Sequence, residues 1–188
     1  TVQPSPRADG RMVYMPGIDR FILFGGNDYS GPNFAFHHLA DTWSYAWGAN
    51  AWTNLTRANG PSARDYAIMA ADPISGRVLM TSGFGDGTPL NDLWSFNLTD
   101  ESWIPLNAGG APPSRFAGVG GFDSLANLLV VFGGATSTGL LGDTWYYNPH
   151  AVSPDATPLW LPIAIAAIIL AAEGIAVAVF LRRNARRP

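Results

Sequence analysis

The sequence predicts an all-β fold of repeated, stacked strand units, followed by one apolar C-terminal helix. Three observations carry this reading. Asp-x-Trp recurs as Asp41-Thr42-Trp43, Asp92-Leu93-Trp94 and Asp143-Thr144-Trp145, 51 residues apart each time. The 188 residues include 21 Gly and 15 Pro, which favours turns and short strands over long helices. Leu159 to Leu181 is a 23-residue apolar run broken only by Glu173. A fixed period near 50 marks one supersecondary unit copied and stacked, because a single unit cannot bury its own apolar faces. Chemistry is usually asymmetric, so residues present in every copy belong to the scaffold before they belong to a site.

Each copy begins at an arginine that follows a Pro/Ser-rich turn: Arg7, Arg64 and Arg115. An apolar run comes next, Phe21–Phe24, Val78–Met80 and Leu128–Phe132, closed by Gly26, Gly83 and Gly134. Runs of this kind bounded by glycine read as buried strands. Asp-x-Trp then opens an alternating aromatic strand: Trp43-Ser44-Tyr45, Trp94-Ser95-Phe96 and Trp145-Tyr146-Tyr147. A further strand follows in the first two copies, Trp52–Leu55 and Trp103–Leu106. In the third, the matching position is Pro154, and proline cannot donate to a sheet ladder. The third unit is therefore expected to lack its outer strand.

Four short antiparallel strands per copy make the blade of a β-propeller. The apolar run, the double glycine (Gly25-Gly26 and Gly133-Gly134) and the spaced aromatics ending in Trp resemble the kelch repeat. Copy two departs from the pattern with Ser82-Gly83. The resemblance covers residues 7–148 and implies a partial kelch-type β-propeller of three blades, at about 7–57, 64–107 and 115–148. A propeller usually needs four to eight blades, so the stack is open at both ends and is expected to be covered by another protein, by a second copy or by upstream sequence. Residues 149–158 then read as a Pro-rich linker.

The run 159–181 reaches roughly 34 Å as a helix, enough for a ~30 Å hydrocarbon core. Trp160 stands at its start, and Arg182, Arg183, Arg186 and Arg187 follow it. The expectation is a single membrane span with residues 1–158 extracytoplasmic and 182–188 a basic cytoplasmic tail. Within the span, Glu173 and the small-residue stripe Ala164, Ala167, Ala171, Gly174 and Ala178 are candidates for contact with other membrane helices. Such a topology also expects a removed export signal or further sequence before Thr1.

Composition excludes several activities. Cysteine is absent, which removes disulfides, thiol catalysis and Cys-based metal sites. It also removes the Tyr–Cys crosslink of the copper-radical oxidases that share the kelch fold. The region before the span is acidic, with seven Arg against thirteen carboxylates, which argues against nucleic acid as a partner. Phosphate-loop and nucleophile-elbow motifs are lacking. No residue is assigned a catalytic or metal-ligating role, and no cofactor is expected.

One asymmetry stands out. From the last Gly of the turn to the Asp of Asp-x-Trp, the first copy spends 15 residues, Gly26 to Asp41, where the others spend 9. Insertions of this kind carry binding surface. The candidates for an interaction loop are Tyr29, Phe34, Phe36, His37 and His38. On an extended strand His37 and His38 point to opposite faces, so the pair makes a poor metal site. Asn54-Leu55-Thr56 and Asn97-Leu98-Thr99 match the N-glycan acceptor pattern at Asn54 and Asn97. The function these features favour is a non-catalytic accessory subunit of a membrane protein complex. Its partners would be other integral membrane subunits and lipid. The alternative is a membrane-anchored receptor or adhesin binding glycan or protein through its loops.

Overall fold

The computed structural model describes residues 2–30, 35–106, 109–150 and 160–162. The first repeat contains β1 (Arg11–Met15), β2 (Arg20–Phe24), β3 (Asn27–Ser30), β4 (Ala35–His38), β5 (Thr42–Ala46) and β6 (Ala51–Asn54). The second contains β7 (Ile68–Asp72), β8 (Arg77–Thr81), β9 (Phe84–Gly85), β10 (Thr88–Pro89), β11 (Leu93–Asn97) and β12 (Ser102–Pro105). The third contains β13 (Val119–Asp123), β14 (Leu128–Phe132), β15 (Thr144–Tyr147) and β16 (Trp160–Pro162). Among the described residues, all sheet pairings are antiparallel. Three four-stranded blades result, β1-β2-β5-β6, β7-β8-β11-β12 and β13-β14-β15-β16. Short hairpins, β3–β4 and β9–β10, project from the first two at the same end.

The third blade is complete, which corrects the expectation that it lacks an outer strand. Trp160 pairs with Tyr147, as Trp52 pairs with Tyr45 and Trp103 with Phe96. The tryptophan that opens the outer strand is present but arrives six residues late, so a rigid period of 51 places Pro154 at its position. The free edge of β15 is a template for any β-prone segment that follows, and Trp160-Leu161 supplies one.

The same strand corrects the membrane reading. Trp160–Pro162, the expected entry to the span 159–181, is sheet rather than helix. Among the described residues, no helix is long and apolar enough to cross a membrane. The single-pass placement, with an extracytoplasmic domain and a cytoplasmic tail, is therefore withdrawn. Hydropathy alone does not separate a span from an apolar edge strand followed by further apolar sequence. Ala164, Ala167, Ala171, Glu173, Gly174 and Ala178 lie outside the described residues.

The core consists of two interfaces between blades. Met15, Ile22 and Phe24 meet Met69, Val78, Met80 and Phe96 across the first. Ile68, Ala70, Leu79 and Leu93 meet Leu129, Val131 and Tyr147 across the second. The middle blade thus buries both faces, which is why β7 and β8 lack the apolar/polar alternation of a half-exposed strand. Each fully buried side chain of this size contributes about 1.5–3 kcal/mol. Trp103 locks the first interface: its ring meets Phe24 edge-on at 5.3 Å, and its Nε1 donates to Thr42 Oγ1 at 2.9 Å.

Backbone hydrogen bonds stitch the blades in a repeated pattern. Arg64 N donates to Leu39 O, Gly26 N to Arg64 O and Tyr66 N to Asp9 O. One repeat later, Arg115 N donates to Leu90 O, Gly83 N to Arg115 O and Ala117 N to Tyr66 O. The matching groups at the two ends are Arg7 on one side and Leu141, Gly134 and Ala117 on the other. They form complementary halves of the same junction. The outer faces follow the same logic, with Met12 and Tyr14 exposed on the first blade and Val119 and Phe132 on the third.

Candidate functional site

The repeated polar residues form scaffold clamps within each blade. Arg7 reaches Asp41 with two hydrogen bonds of 2.6 and 2.7 Å, and Arg115 reaches Asp143 at 2.6 and 2.9 Å. Arg64 holds Asp92 in the same two-pronged way. In every copy the arginine also donates to the carbonyl of the first residue of the glycine turn: Gly25, Ser82 or Gly133. The tryptophan two residues on donates Nε1 to the same carboxylate, at 2.6, 2.7 and 2.6 Å. Burial pushes the Asp41 and Asp92 carboxyls up, but the arginine and tryptophan donors outweigh it and leave both below the usual range. Hydrogen bonding from Arg115 takes Asp143 down to about 2 against partial burial. These groups bond chiefly to one another and to nearby backbone, so the clamps fix loops.

The asymmetric chemistry lies beside them. Directly after each clamp arginine the chain enters an isolated bridge with the residue that follows the glycine turn. The pairs are Ala8 with Asn27, Asp65 with Phe84, and Phe116 with Ala135. Asp9, Tyr66 and Ala117, one residue further, share a left-handed backbone with φ of 55°, 51° and 53°. The backbone repeats while the side chains diverge. β1, β7 and β13 pack side by side as the innermost strands, so these segments converge at one mouth of the stack.

Four side chains of the β3–β4 hairpin complete that mouth. The register pairs Asn27 with His38 and Tyr29 with Phe36, which puts all four on one face. Aromatic contacts then run without a break across three blades. Tyr29–Phe36, Phe36–His38, His38–Phe84, Phe84–Phe116 and Phe116–Tyr66 have centroid separations of 5.4, 4.8, 6.0, 5.2 and 6.2 Å. Tyr29 and Phe36 are 64% and 45% exposed. Below them is a cavity of about 390 Å³ lined by Asp9, Asn27, Asp65, Tyr66, Phe84 and Phe116, among others. A second depression, lined by Pro6, Arg7, Ala8 and Asp28, lies on the other side of Asn27 and Tyr29.

The floor of the cavity is acidic. Asn27 Nδ2 donates to Asp9 Oδ2 at 3.0 Å and to Asp65 Oδ2 at 2.9 Å, tying the two carboxylates together. Asp65 is 2% exposed, and its Oδ1 has no hydrogen-bond partner. Burial raises the Asp65 carboxyl above its usual range, and the charge of Asp9 adds to this against the Asn27 hydrogen bond and nearby His38. His38 Nδ1 stands 3.5 Å from Asp65 Oδ2. The hydrogen bond from the Tyr66 hydroxyl to Asp9 raises the tyrosine pKa. Acceptors and aromatic faces dominate, so the arrangement suits a donor or cation approaching from outside. Among the described residues, no group of three or more His, Asp or Glu could hold a metal ion.

Of the sequence candidates, Tyr29, Phe36 and His38 come together at the mouth. His37 turns to the opposite face of the hairpin, 3.4 Å from Asp28. Phe34 lies outside the described residues. Asn54 ends β6 opposite Trp43 and Asn97 ends β11 opposite Arg77 and Ser102; Asn54 Oδ1 accepts from Thr56 N and Asn97 Oδ1 from Thr99 N. Asp9, Asn27, Asp65, Tyr66, Phe84 and Phe116 were missed by sequence reasoning. The signal was available: each lies within two residues of a repeated Arg or Gly, at a position where the copies differ in chemistry.

The three clamps in register agree with comparison against known families. The KLHDC2/KLHL20/DRC7 Kelch-repeats domain matches residues 1–154. The chain belongs to the kelch-repeat family. Its kelch segment is 34% identical over 112 residues to the flagellar outer arm dynein alpha chain of Chlamydomonas reinhardtii, covering 58% of this chain and 2% of that one. It is 34% identical over 113 residues to Adagio-like protein 1 of Oryza sativa subsp. japonica, covering 56% and 17%. It is 28% identical over 120 residues to a kelch repeat-containing protein of Arthroderma benhamiae, covering 58% and 18%. The chain therefore spans less than a fifth of each of these relatives. Its kelch domain is, in class, a protein–protein interaction module.

Proposed function

We propose that this kelch arc is a non-catalytic docking module of a larger protein assembly, and that it holds a segment of a partner protein across the aromatic mouth. The carrying observation is the unbroken ring chain from Tyr29 to Tyr66, exposed at its Tyr29–Phe36 end and backed by a cavity. Rigid aromatic rings around a pocket give contact area at low entropic cost, the character of an interface hot spot. The position supports the reading too, since the residues there differ between copies while the clamps repeat. The occurrence of a similar segment in a dynein chain of the flagellar outer arm is consistent with a place inside a large assembly.

The test is selection of binding peptides from a random display library on the full chain. Selected peptides should lose at least about tenfold in affinity on the Tyr29→Ala/Phe36→Ala variant, a loss of 1.4 kcal/mol or more. Both rings are exposed, so the variant should keep its fold. Peptides that bind the variant as well as the parent would refute docking at the mouth.

A further inference from the structure

We propose that the mouth selects a basic side chain, arginine above lysine, seated between its aromatic walls on the Asp9–Asp65 carboxylates. The inference rests on the docking reading and names what that site recognises.

Asp65 is almost wholly buried and lines the cavity, yet its Oδ1 accepts no hydrogen bond. A buried polar atom left without a partner is costly, more so when charged. The neighbours have little left to give. Asn27 Nδ2 is already shared between Asp9 and Asp65. The clamp arginines Arg7, Arg64 and Arg115 are each committed to Asp41, Asp92 and Asp143. Arg11 donates its Nε to Ala67 O at 2.6 Å. The nearest titratable donor, His38, stays at 3.5 Å without a hydrogen bond from its Nδ1. A donor arriving with a ligand would supply what Asp65 lacks.

Its chemistry follows from the walls. Two carboxylates tied by one amide repel an anion and attract a cation. The rings of Tyr29, Phe36, Tyr66, Phe84 and Phe116 surround the approach, and aromatic faces attract a cation placed over them. A guanidinium is flat, presents several donors in a fixed fork and stacks on rings, whereas an ammonium is a strongly hydrated point charge. A cavity of about 390 Å³ has room for the guanidinium and its methylene stem.

The experiment titrates the full chain with N-acetyl-arginine amide and N-acetyl-citrulline amide, the second of similar shape but uncharged. Backbone amide shifts of Asp65, Tyr66 and Phe84 are followed by NMR. Arginine should perturb these amides and bind at least about tenfold tighter than citrulline. Asp65→Asn should abolish that preference. Asp9→Asn, at a more open position, gives the same readout if Asp65→Asn fails to fold. Equal affinity for the two probes, no binding of either, or a preference untouched by both variants would overturn the inference. Peptides that need Tyr29 and Phe36 but carry no basic residue would overturn it while leaving the docking reading intact.

Discussion

Replacing Ser82 with glycine should stabilise the protein, although the serine is fully buried in the middle blade. Ser82 occupies the first position of the glycine turn with φ of 65°. The equivalent residues are Gly25 and Gly133, with φ of 62° and 63°. A left-handed backbone costs a residue with a Cβ about 1–2 kcal/mol. Ser82 Oγ is also buried without a hydrogen-bond partner, a penalty of about 1–3 kcal/mol. The carbonyl that accepts from Arg64 Nη1 at 3.1 Å is backbone and survives the change. Against these gains stand the extra chain freedom of glycine, about 0.5–1 kcal/mol, and a few lost contacts. The net gain should be about 1–2 kcal/mol. Urea unfolding of the full chain should show a higher midpoint at unchanged slope, and melting should rise by about 2–4 °C per kcal/mol. Gly133→Ser should shift the midpoint the other way. A Ser82→Gly variant equal to or weaker than the parent would refute the claim that the repeat is strained at this turn.

Arg64→Met should destabilise by about 3 kcal/mol, since it strands Asp92, whose partial exposure softens the loss; a loss under about 1 kcal/mol in urea unfolding would contradict the clamp's role. Trp103→Ala should cost about 3–5 kcal/mol, because it empties the first blade interface and leaves Thr42 Oγ1 without its donor, as measured by the same unfolding curve. Acid should loosen the fold through the clamps. Asp143 has a folded pKa of about 2 against 3.8, so its contribution is complete above 3.8 and disappears as pH falls toward about 2. Asp41 and Asp92 are shifted in the same direction, and Asp143→Asn should flatten the stability-versus-pH slope in that window. The raised Asp65 works oppositely, becoming a cost as pH rises through its folded value, so Asp65→Asn should gain stability at neutral relative to acidic pH.

Some elements were legible because their physics is local. Apolar runs closed by glycine located β2, β8 and β14, and the aromatic alternation after Asp-x-Trp located β5, β11 and β15. β13, Val-Gly-Gly-Phe-Asp, has no strand signature of its own; its Gly120 makes room for Ile68 of the neighbouring blade, a requirement visible only after packing. β16 escaped because a six-residue insertion broke the period that identified its counterparts. Trp160–Pro162 read as the entry to a membrane helix because hydropathy counts side chains and ignores the open edge of β15. At the mouth, the longer first hairpin pointed to Tyr29, Phe36 and His38. Asp9, Asp65 and Phe116 come from three segments more than 50 residues apart, and only the stacking of β1, β7 and β13 brings them together.

Hydrogen–deuterium exchange on the full chain, with and without a display-selected peptide, tests the docking claim most directly. Exchange protection reports which backbone segments a partner covers. The account predicts new protection confined to 27–30, 35–38, 65–66, 84–85 and the segment around Phe116. Protection on the outer faces at Tyr14 and Phe132 instead, with the mouth unchanged, would contradict it.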